Sequence, residues 1–152
     1  MNGHALAISR KVREPKDVFA LTKTKRIKDH VLLAIHLSRH LVTKMVQMVP
    51  DGRGCGSFDT SKIVQESLLR KSDGIVLAHN HLNETTAQPN KEDIKFTKIL
   101  IHVGRLTGAH IVDHVIFGKS GYYSFKEHGR LFKKGKNYSF RSPRRVFRLC
   151  GR

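Results

Sequence analysis

The chain has 152 residues, 39% apolar and 27% charged, so it is long enough for one globular domain with its own core. Its 29 basic and 12 acidic residues give a formal net charge of +17, which predicts attraction to polyanions, above all nucleic acid; the alternative is a basic surface without such a ligand. Two cysteines and no long apolar run argue against a disulfide-rich secreted protein and a membrane-spanning one.

The two cysteines, Cys55 and Cys150, are too few for a disulfide framework or a four-thiolate zinc site. We expect both to be free thiols in a reducing compartment. The apolar stretch that follows Met1 is too short for a secretory signal. We therefore expect a cytoplasmic protein without a membrane partner.

Apolar periodicity and turn residues divide the chain into eight elements. Strands are expected where apolar residues alternate or run together, and helices where they recur every three or four positions. In chain order the elements are a helix over 14–22, a hairpin of strands over 31–37 and 41–49, a helix over 60–70, a strand over 75–78, a helix over 91–107, and strands over 109–117 and 122–125.

Turn and capping residues mark the boundaries of these elements. Pro15 is typical of a first helical turn, and the three glycines of residues 51–56 predict a loop. Asn90, with Asp93 three residues later, predicts an N-terminal helix cap. Gly108 predicts the end of the same helix.

The two later helices each carry an apolar stripe that we expect to face the sheet. In the helix over 60–70 the stripe consists of Ile63, Val64, Ser67, Leu68 and Leu69. In the helix over 91–107 it consists of Ile94, Phe96, Ile99, Leu100, Val103 and Leu106. The strand over 75–78 is apolar throughout, which predicts a central strand covered on both faces.

The composition changes at Gly129. From there to Arg152 the chain has nine basic residues and no acid, with aromatic residues between them. This composition is typical of segments that follow a phosphate backbone and stack on bases; a solvated tail with aromatics packed on the domain is the alternative. We therefore predict a basic arm (1–13), a single α/β domain with a mixed sheet flanked by helices (14–128), and a basic tail (129–152).

Two histidines and an aspartate are predicted to meet where the strand over 75–78 ends and the next helix begins. His79 and His81 are two positions apart, so in an extended chain both imidazoles point to one face. Asp93 adds a carboxylate from the first turn of the helix. Two nitrogens and one oxygen suit Zn²⁺ with water in the fourth position, or another divalent metal. The alternative is two polar loop histidines beside an acid that only caps a helix.

A longer pattern surrounds this constellation. The stretch IVLAHNHLNETTAQPNKEDIKFTKIL, followed by GAHIVDHVIFGKSGYYSFKEHG, resembles the RadC-type branch of the JAB/MPN (JAMM) metalloprotease-like family. In that family a strand ends in His-Asn-His, a Pro-Ser-x-x-Asp run opens a helix, and a Leu-Asp-His strand follows. The similarity covers residues 74–129 and extends more weakly back to Glu14. It implies an MPN-like curved mixed sheet and hydrolysis of peptide or isopeptide bonds; RadC-type members were also described as DNA-repair proteins.

By this resemblance His79, His81 and Asp93 are the zinc ligands. Asn90 stands where the family has a serine whose hydroxyl stabilises the oxyanion, and an asparagine amide also donates hydrogen bonds. Asp113-His114 matches the family's Asp-His pair. We expect this pair to serve packing in its strand, with support of the metal ligands as the alternative.

The chain departs from the family pattern at further points. Leu82 replaces the proline after His-Asn-His, and the loop from His81 to Asp93 is one residue longer than usual. The catalytic glutamate has no match, because Asp29 and His30 occupy its region. A general base must reach the metal-bound water, so its loss predicts a slow hydrolase.

Two functions follow from the sequence: a zinc-dependent hydrolase of JAMM type with reduced activity, and a catalytically weak metal-binding module that binds nucleic acid through its basic surface and tail. The second predicts an affinity that falls steeply with salt and depends on residues 129–152. A nuclease is not favoured, because the nuclease motif named after His-Asn-His is dispersed rather than contiguous. No helix-hairpin-helix region is recognisable ahead of the domain.

Overall fold

The structure, a computed structural model, describes residues 11–23, 32–48, 60–81 and 86–131. These residues form an α/β domain with one mixed five-stranded sheet and three helices, which confirms the predicted fold class. The elements are α1 (Pro15–Lys23), β1 (Leu32–Ser38), β2 (Leu41–Met48), α2 (Thr60–Arg70), β3 (Gly74–Asn80), α3 (Lys91–Thr107), β4 (Ile111–Phe117) and β5 (Tyr122–Ser124).

The strands lie in the order β2-β1-β3-β4-β5. β1 is antiparallel to both β2 and β3, β3 is parallel to β4, and β4 is antiparallel to β5. A parallel pair needs a crossover connection, and α3 provides it between β3 and β4. β3 is central and buried over its first five residues, as its continuous apolar run predicted.

Side chains of the sheet alternate between two core clusters, one on each face. Leu32 and Ala34 of β1 pack in a cluster that includes residues of α2 and α3. Leu33 and Ile35 pack in the other cluster, with residues of α1. Helices α2 and α3 therefore cover one face of the sheet, and α1 covers the other.

The turn between β1 and β2 is held against the start of β3. Arg39 and His40 form it with φ values of 49° and 68°, the left-handed pair that a two-residue hairpin turn requires. The main-chain N–H of Arg39 donates to Oδ2 of Asp73 at 2.8 Å. This contact fixes the hairpin beside the strand that leads to the two histidines.

The apolar stripes of α2 and α3 differ from the prediction. Leu68 and Leu69 of α2 are 53% and 73% exposed, and Ile99 and Leu106 of α3 are 46% and 75% exposed. A helix buries only a narrow arc against a sheet, and on α3 two small or polar residues lie in that arc. The buried residues of α3 are Thr97, Leu100, Ile101 and Gly104.

Residues near both ends of the described part of the chain pack in the core. Val12 is fully buried, and its main-chain N–H donates to the carbonyl of His40 at 2.8 Å. Leu131 is buried in the core at the other end. The rest of the predicted arm and tail, the loop over 51–56 and both cysteines lie outside the described residues. None of the helices in the described ranges has the length and apolar character to cross a membrane.

Candidate metal centre

His79, His81 and Asp93 meet at the end of β3. His79 lies within the strand, and His81 follows it with its main-chain N–H donating to the carbonyl of Phe117 at 3.0 Å, so the extended course continues. Both imidazoles therefore reach the same side of the sheet, as the spacing predicted. Asp93 reaches them from the first turn of α3.

The three side chains form one compact group. His79 Nε2 lies 3.1 Å from His81 Nε2 and 3.1 Å from Asp93 Oδ1, and His81 Nε2 lies 3.2 Å from Asp93 Oδ2. One ligand atom from each residue lies within 4.8 Å of the others. Across the ranges that the structure describes, this is the one group of three or more His, Cys, Asp or Glu side chains with such geometry.

The separations fit a divalent metal. A tetrahedral zinc site with bonds of about 2.0 to 2.1 Å places neighbouring ligand atoms about 3.3 Å apart, close to the distances in this group. Two imidazole nitrogens and a carboxylate are also the donors of zinc sites that keep one position open. The side chains of His79, His81 and Asp93 are 13%, 8% and 12% exposed, so water reaches the group although most of it is enclosed.

A capping box fixes the Asp93 carboxylate. The main-chain N–H of Asn90 donates to Asp93 Oδ2 at 2.8 Å, and the main-chain N–H of Asp93 donates to Asn90 Oδ1 at 2.8 Å, which confirms the predicted helix start. Burial favours a higher pKa for Asp93, but the neighbouring His79 and the main-chain N–H of Asn90 outweigh burial and lower that pKa. The carboxylate is therefore held ionised, as a metal ligand must be.

Asn90 lies beside Asp93, one of the predicted metal ligands, as the sequence predicted. Its Oδ1 is occupied by the helix cap, so its amide N–H₂ group is what remains for another ligand. The residue is exposed at the start of α3. The structure thus brings together all four residues predicted for the site.

Two residues lie behind the group: His114, for which support of the metal ligands was the alternative to packing, and Thr97, which the sequence analysis did not assign to the site. His114 of β4 is fully buried, and its Nε2 lies 2.8 Å from Nδ1 of His79. Its other nitrogen, Nδ1, lies 2.6 Å from Oγ1 of Thr97. Thr97 is four residues after Asp93, a spacing that places both on one helix face and that was the available signal. His114 therefore supports a site residue as well as packing, since its ring stacks on Phe125.

Asp113, which precedes His114 in β4, makes hydrogen bonds that hold the fold together. Asp113 Oδ1 accepts the main-chain N–H groups of His114 and Lys126 at 2.7 and 3.0 Å, and Oδ2 accepts the Ser124 hydroxyl at 2.6 Å. Burial raises the pKa of Asp113 to about 6, and these hydrogen bonds offset it only in part. The residue fastens β5 and the turn after it to β4.

The first strand of the sheet begins next to the site. Leu32, the first residue of β1, pairs with His79 across the sheet. β1 therefore begins beside the histidines. Asp29 and His30, as well as Leu82 in the loop after His81, lie outside the described residues.

Comparison with known proteins gives one family. A family model described as the RadC-like JAB domain matches residues 12–130. The chain is 31% identical over 127 residues to a UPF0758 protein of Methanosarcina acetivorans, covering 79% of this chain and 53% of that protein. It is 29% identical over 125 residues to a UPF0758 protein of Methanococcoides burtonii, covering 80% and 54%. The chain thus spans about half the length of these curated relatives.

The matched region contains every described strand and helix and all four predicted site residues. The mixed sheet flanked by helices agrees with an MPN-like fold. The chain belongs to the RadC-like JAB domain family.

Proposed function

We propose that the chain is a metal-dependent hydrolase of JAMM type, with zinc as the expected metal and a peptide or isopeptide bond as the substrate. The observation that carries the proposal is the convergence of His79 Nε2, His81 Nε2 and the Asp93 carboxylate at the end of β3. Membership of the RadC-like JAB domain family supports the class of reaction.

Zinc held by these three side chains would polarise a carbonyl and lower the pKa of a bound water to about 7. The protein residues have separate tasks around it. The strand end aligns the two histidines, and the capping box with Asn90 aligns Asp93. The amide N–H₂ group of Asn90, exposed beside Asp93, is the donor we assign to the developing oxyanion.

In the sequence, Asp29 and His30 stand where the family has its catalytic glutamate. Asp29 and His30 precede the strand whose first residue, Leu32, pairs with His79. An aspartate is one methylene shorter than the family's glutamate, and a histidine acts as a base only when neutral. We therefore expect turnover slower than that of members with the glutamate, within the factor of about 10² to 10⁴ that acid–base help contributes.

The test uses a fluorogenic lysine isopeptide and a linear peptide of matched sequence. Asp93→Asn removes the carboxylate ligand, and Glu92→Gln is the matched control because Glu92 is an exposed acid in the same helical turn. Zinc-loaded wild type and Glu92→Gln should cleave at least one substrate. Chelation should abolish cleavage, zinc should restore it, and Asp93→Asn should stay inactive.

Three results would count against this function. One is equal cleavage by Asp93→Asn and Glu92→Gln, and another is cleavage that chelation leaves unchanged. The third is a zinc-loaded wild type that cleaves neither substrate, which would leave the chain as a metal-binding module.

Nucleic-acid binding is a second candidate function, and a specific surface favours it. Basic residues recur on α3 at spacings of four, three, four and three, which places them on one helix face. All of them are exposed, and the face extends about 21 Å. This surface, the α3 stripe, consists of Lys91, Lys95, Lys98, His102 and Arg105.

Within the described residues, Lys91, Lys95 and Lys98 form no ion pair, whereas Glu14 pairs with Lys16 and Glu66 with Lys44 elsewhere. A row of exposed cations suits the regularly spaced phosphates of a single strand. The stripe also begins in the helical turn that carries Asp93, so a bound strand would reach the candidate metal centre.

Matched charge removal tests this surface. Lys91→Gln/Lys95→Gln/Lys98→Gln changes the stripe, and Lys11→Gln/Lys71→Gln/Lys119→Gln removes the same charge from exposed positions elsewhere. Fluorescence anisotropy with a labelled single-stranded oligonucleotide gives the affinity over about 50 to 200 mM salt. The slope of log affinity against log salt should become shallower by about 2 in the stripe variant, since each phosphate that a lysine neutralises contributes about 0.7.

The control variant should keep the wild-type slope. Equal changes of slope in both variants would show attraction to net charge alone and would contradict a specific surface. If the stripe variant binds as wild type does, the α3 stripe is not the binding surface, and any binding involves other parts of the chain.

A further inference from the structure

We propose that a hydrogen-bond chain from the main-chain carbonyl of Asp93, through Thr97 and His114, holds the proton of His79 on Nδ1 and so keeps its Nε2 bare for a metal. Thr97 and His114 act as positioning residues in this chain. The inference rests on the metal site of the proposed function.

The hydrogen-bond chain consists of three consecutive contacts through the buried side chains of Thr97 and His114. Thr97 Oγ1 lies 2.6 Å from the carbonyl oxygen of Asp93 and 2.6 Å from Nδ1 of His114. Nε2 of His114 lies 2.8 Å from Nδ1 of His79. Thr97 is 1% exposed and His114 is fully buried, so bulk water does not compete for these contacts.

The position of each proton follows from the groups themselves. A carbonyl oxygen has no proton, so the hydrogen between Asp93 and Thr97 is that of the Thr97 hydroxyl. That hydroxyl has no second proton, so the hydrogen between Thr97 and His114 belongs to His114 Nδ1. A neutral His114 then has a bare Nε2, and the hydrogen between the two imidazoles belongs to His79 Nδ1.

His114 must be neutral for this order of protons, and its surroundings keep it so. The side chain of His114 is completely buried. Its ring stacks on Phe125 at 5.0 Å between ring centres and meets the edge of Phe96 at 6.2 Å. An imidazolium in this apolar enclosure is strongly disfavoured.

The reverse proton order would disable the site. If Thr97 donated to His114, His114 Nε2–H would donate to His79 Nδ1. A neutral His79 would then hold its proton on Nε2, the atom that lies 3.1 Å from both His81 Nε2 and Asp93 Oδ1. The Asp93 carbonyl excludes this order, so one residue provides a carboxylate to the metal and sets the tautomer of a neighbouring ligand.

The first test measures tautomers in metal-free protein. Nitrogen-15 NMR of the imidazoles, above about pH 8, where neutral histidine dominates, distinguishes Nδ1–H from Nε2–H. Wild type should show Nδ1–H at His79 and at His114. Thr97→Ser keeps the hydroxyl and should preserve both. Thr97→Val has the same shape without it, leaves His114 Nδ1–H unpaired, and should shift His79 to Nε2–H.

The second test measures zinc affinity by competition with a chromophoric chelator. Thr97→Val should bind zinc about 10- to 100-fold more weakly than wild type, and Thr97→Ser should bind as wild type does. If the role of Thr97 were purely structural, Thr97→Val would weaken the fold without changing the tautomer of His79.

The two tests separate this inference from the proposed function. A metal-free wild type with Nε2–H at His79 overturns the hydrogen-bond chain even if the protein binds zinc. If wild type shows the expected tautomers but binds no metal, the hydrogen-bond chain is supported and the metal site is overturned. Equal zinc affinities for Thr97→Val and Thr97→Ser also overturn the positioning role.

Discussion

The main-chain N–H of Asn90 donates to Oδ2 of Asp93 at 2.8 Å, and the same oxygen lies 3.2 Å from Nε2 of His81. The hydrogen bond that begins α3 therefore also orients the carboxylate of the candidate metal centre. Helix capping and ligand placement are coupled in one residue pair. Changes at Asn90 are expected to affect both the stability of the helix and the chemistry of the site.

Substitutions of Asn90 separate its capping role from its role as a donor. Serine and aspartate also cap helices, so Asn90→Ser and Asn90→Asp should unfold in urea close to wild type, whereas Asn90→Ala should lose about 1 kcal/mol. Asn90→Ser keeps a donor and should keep hydrolysis. Asn90→Asp has no donor and should slow hydrolysis about 10²-fold or more.

Zinc content measured beside the rate controls for the added charge of Asn90→Asp. If zinc-loaded Asn90→Asp hydrolyses substrate as fast as Asn90→Ser, Asn90 does not stabilise the oxyanion.

Gly104 fixes how closely α3 approaches the chain before β4. A Cβ at this position would lie 2.4 Å from the carbonyl oxygen of Ala109, a backbone atom that cannot rotate away. Gly104→Ala should therefore destabilise the fold by about 1 to 3 kcal/mol and weaken zinc binding, because a shifted α3 moves Asp93. Gly121→Ala, where a Cβ meets no atom within 4 Å, is the matched control. Thermal unfolding of both variants checks the effect, and equal stabilities would show that α3 adapts without strain.

Asp113 gives the fold a predictable pH dependence. Burial raises its pKa from about 3.8 to about 6, so the folded state holds a proton more tightly than the unfolded state does. The stability that this proton provides is complete below pH 4 and is lost as pH rises through 6, a change of about 3 kcal/mol. Asp113→Asn cannot titrate, so the difference in unfolding free energy between wild type and Asp113→Asn should change across this interval.

Urea unfolding at pH 4, 5, 6 and 7 measures that difference. As pH rises, the wild type should lose stability relative to Asp113→Asn. A constant difference would show that the three hydrogen bonds to Asp113 hold its pKa near the ordinary value.

Local patterns of the sequence predicted most of the fold. Strand runs, the Asn90 cap and the Gly108 stop correspond to observed elements because each reflects contacts within a few residues. The inward faces of the helices were harder to predict. Leu69 and Leu106 are exposed while Thr97 is buried, because helix position depends on close approaches such as that at Gly104.

The candidate site likewise contains features that the sequence predicted and one that it did not. The spacing of His79 and His81 and the cap at Asp93 were enough to bring the three side chains together in the prediction. The contact between His79 and His114 was not predictable from spacing, because it depends on the parallel register of β3 and β4. Periodicity within one strand does not determine the register of its neighbour.

The most direct test of the metal centre is the zinc content of the purified protein after loading and dialysis. Wild type should retain one zinc per chain. The double variant His102→Ala/His128→Ala, which removes two exposed histidines outside the group, should retain the same amount. His79→Ala/His81→Ala should retain none. Zinc retained by His79→Ala/His81→Ala, or equal and negligible zinc in all three proteins, would contradict a metal site at His79, His81 and Asp93.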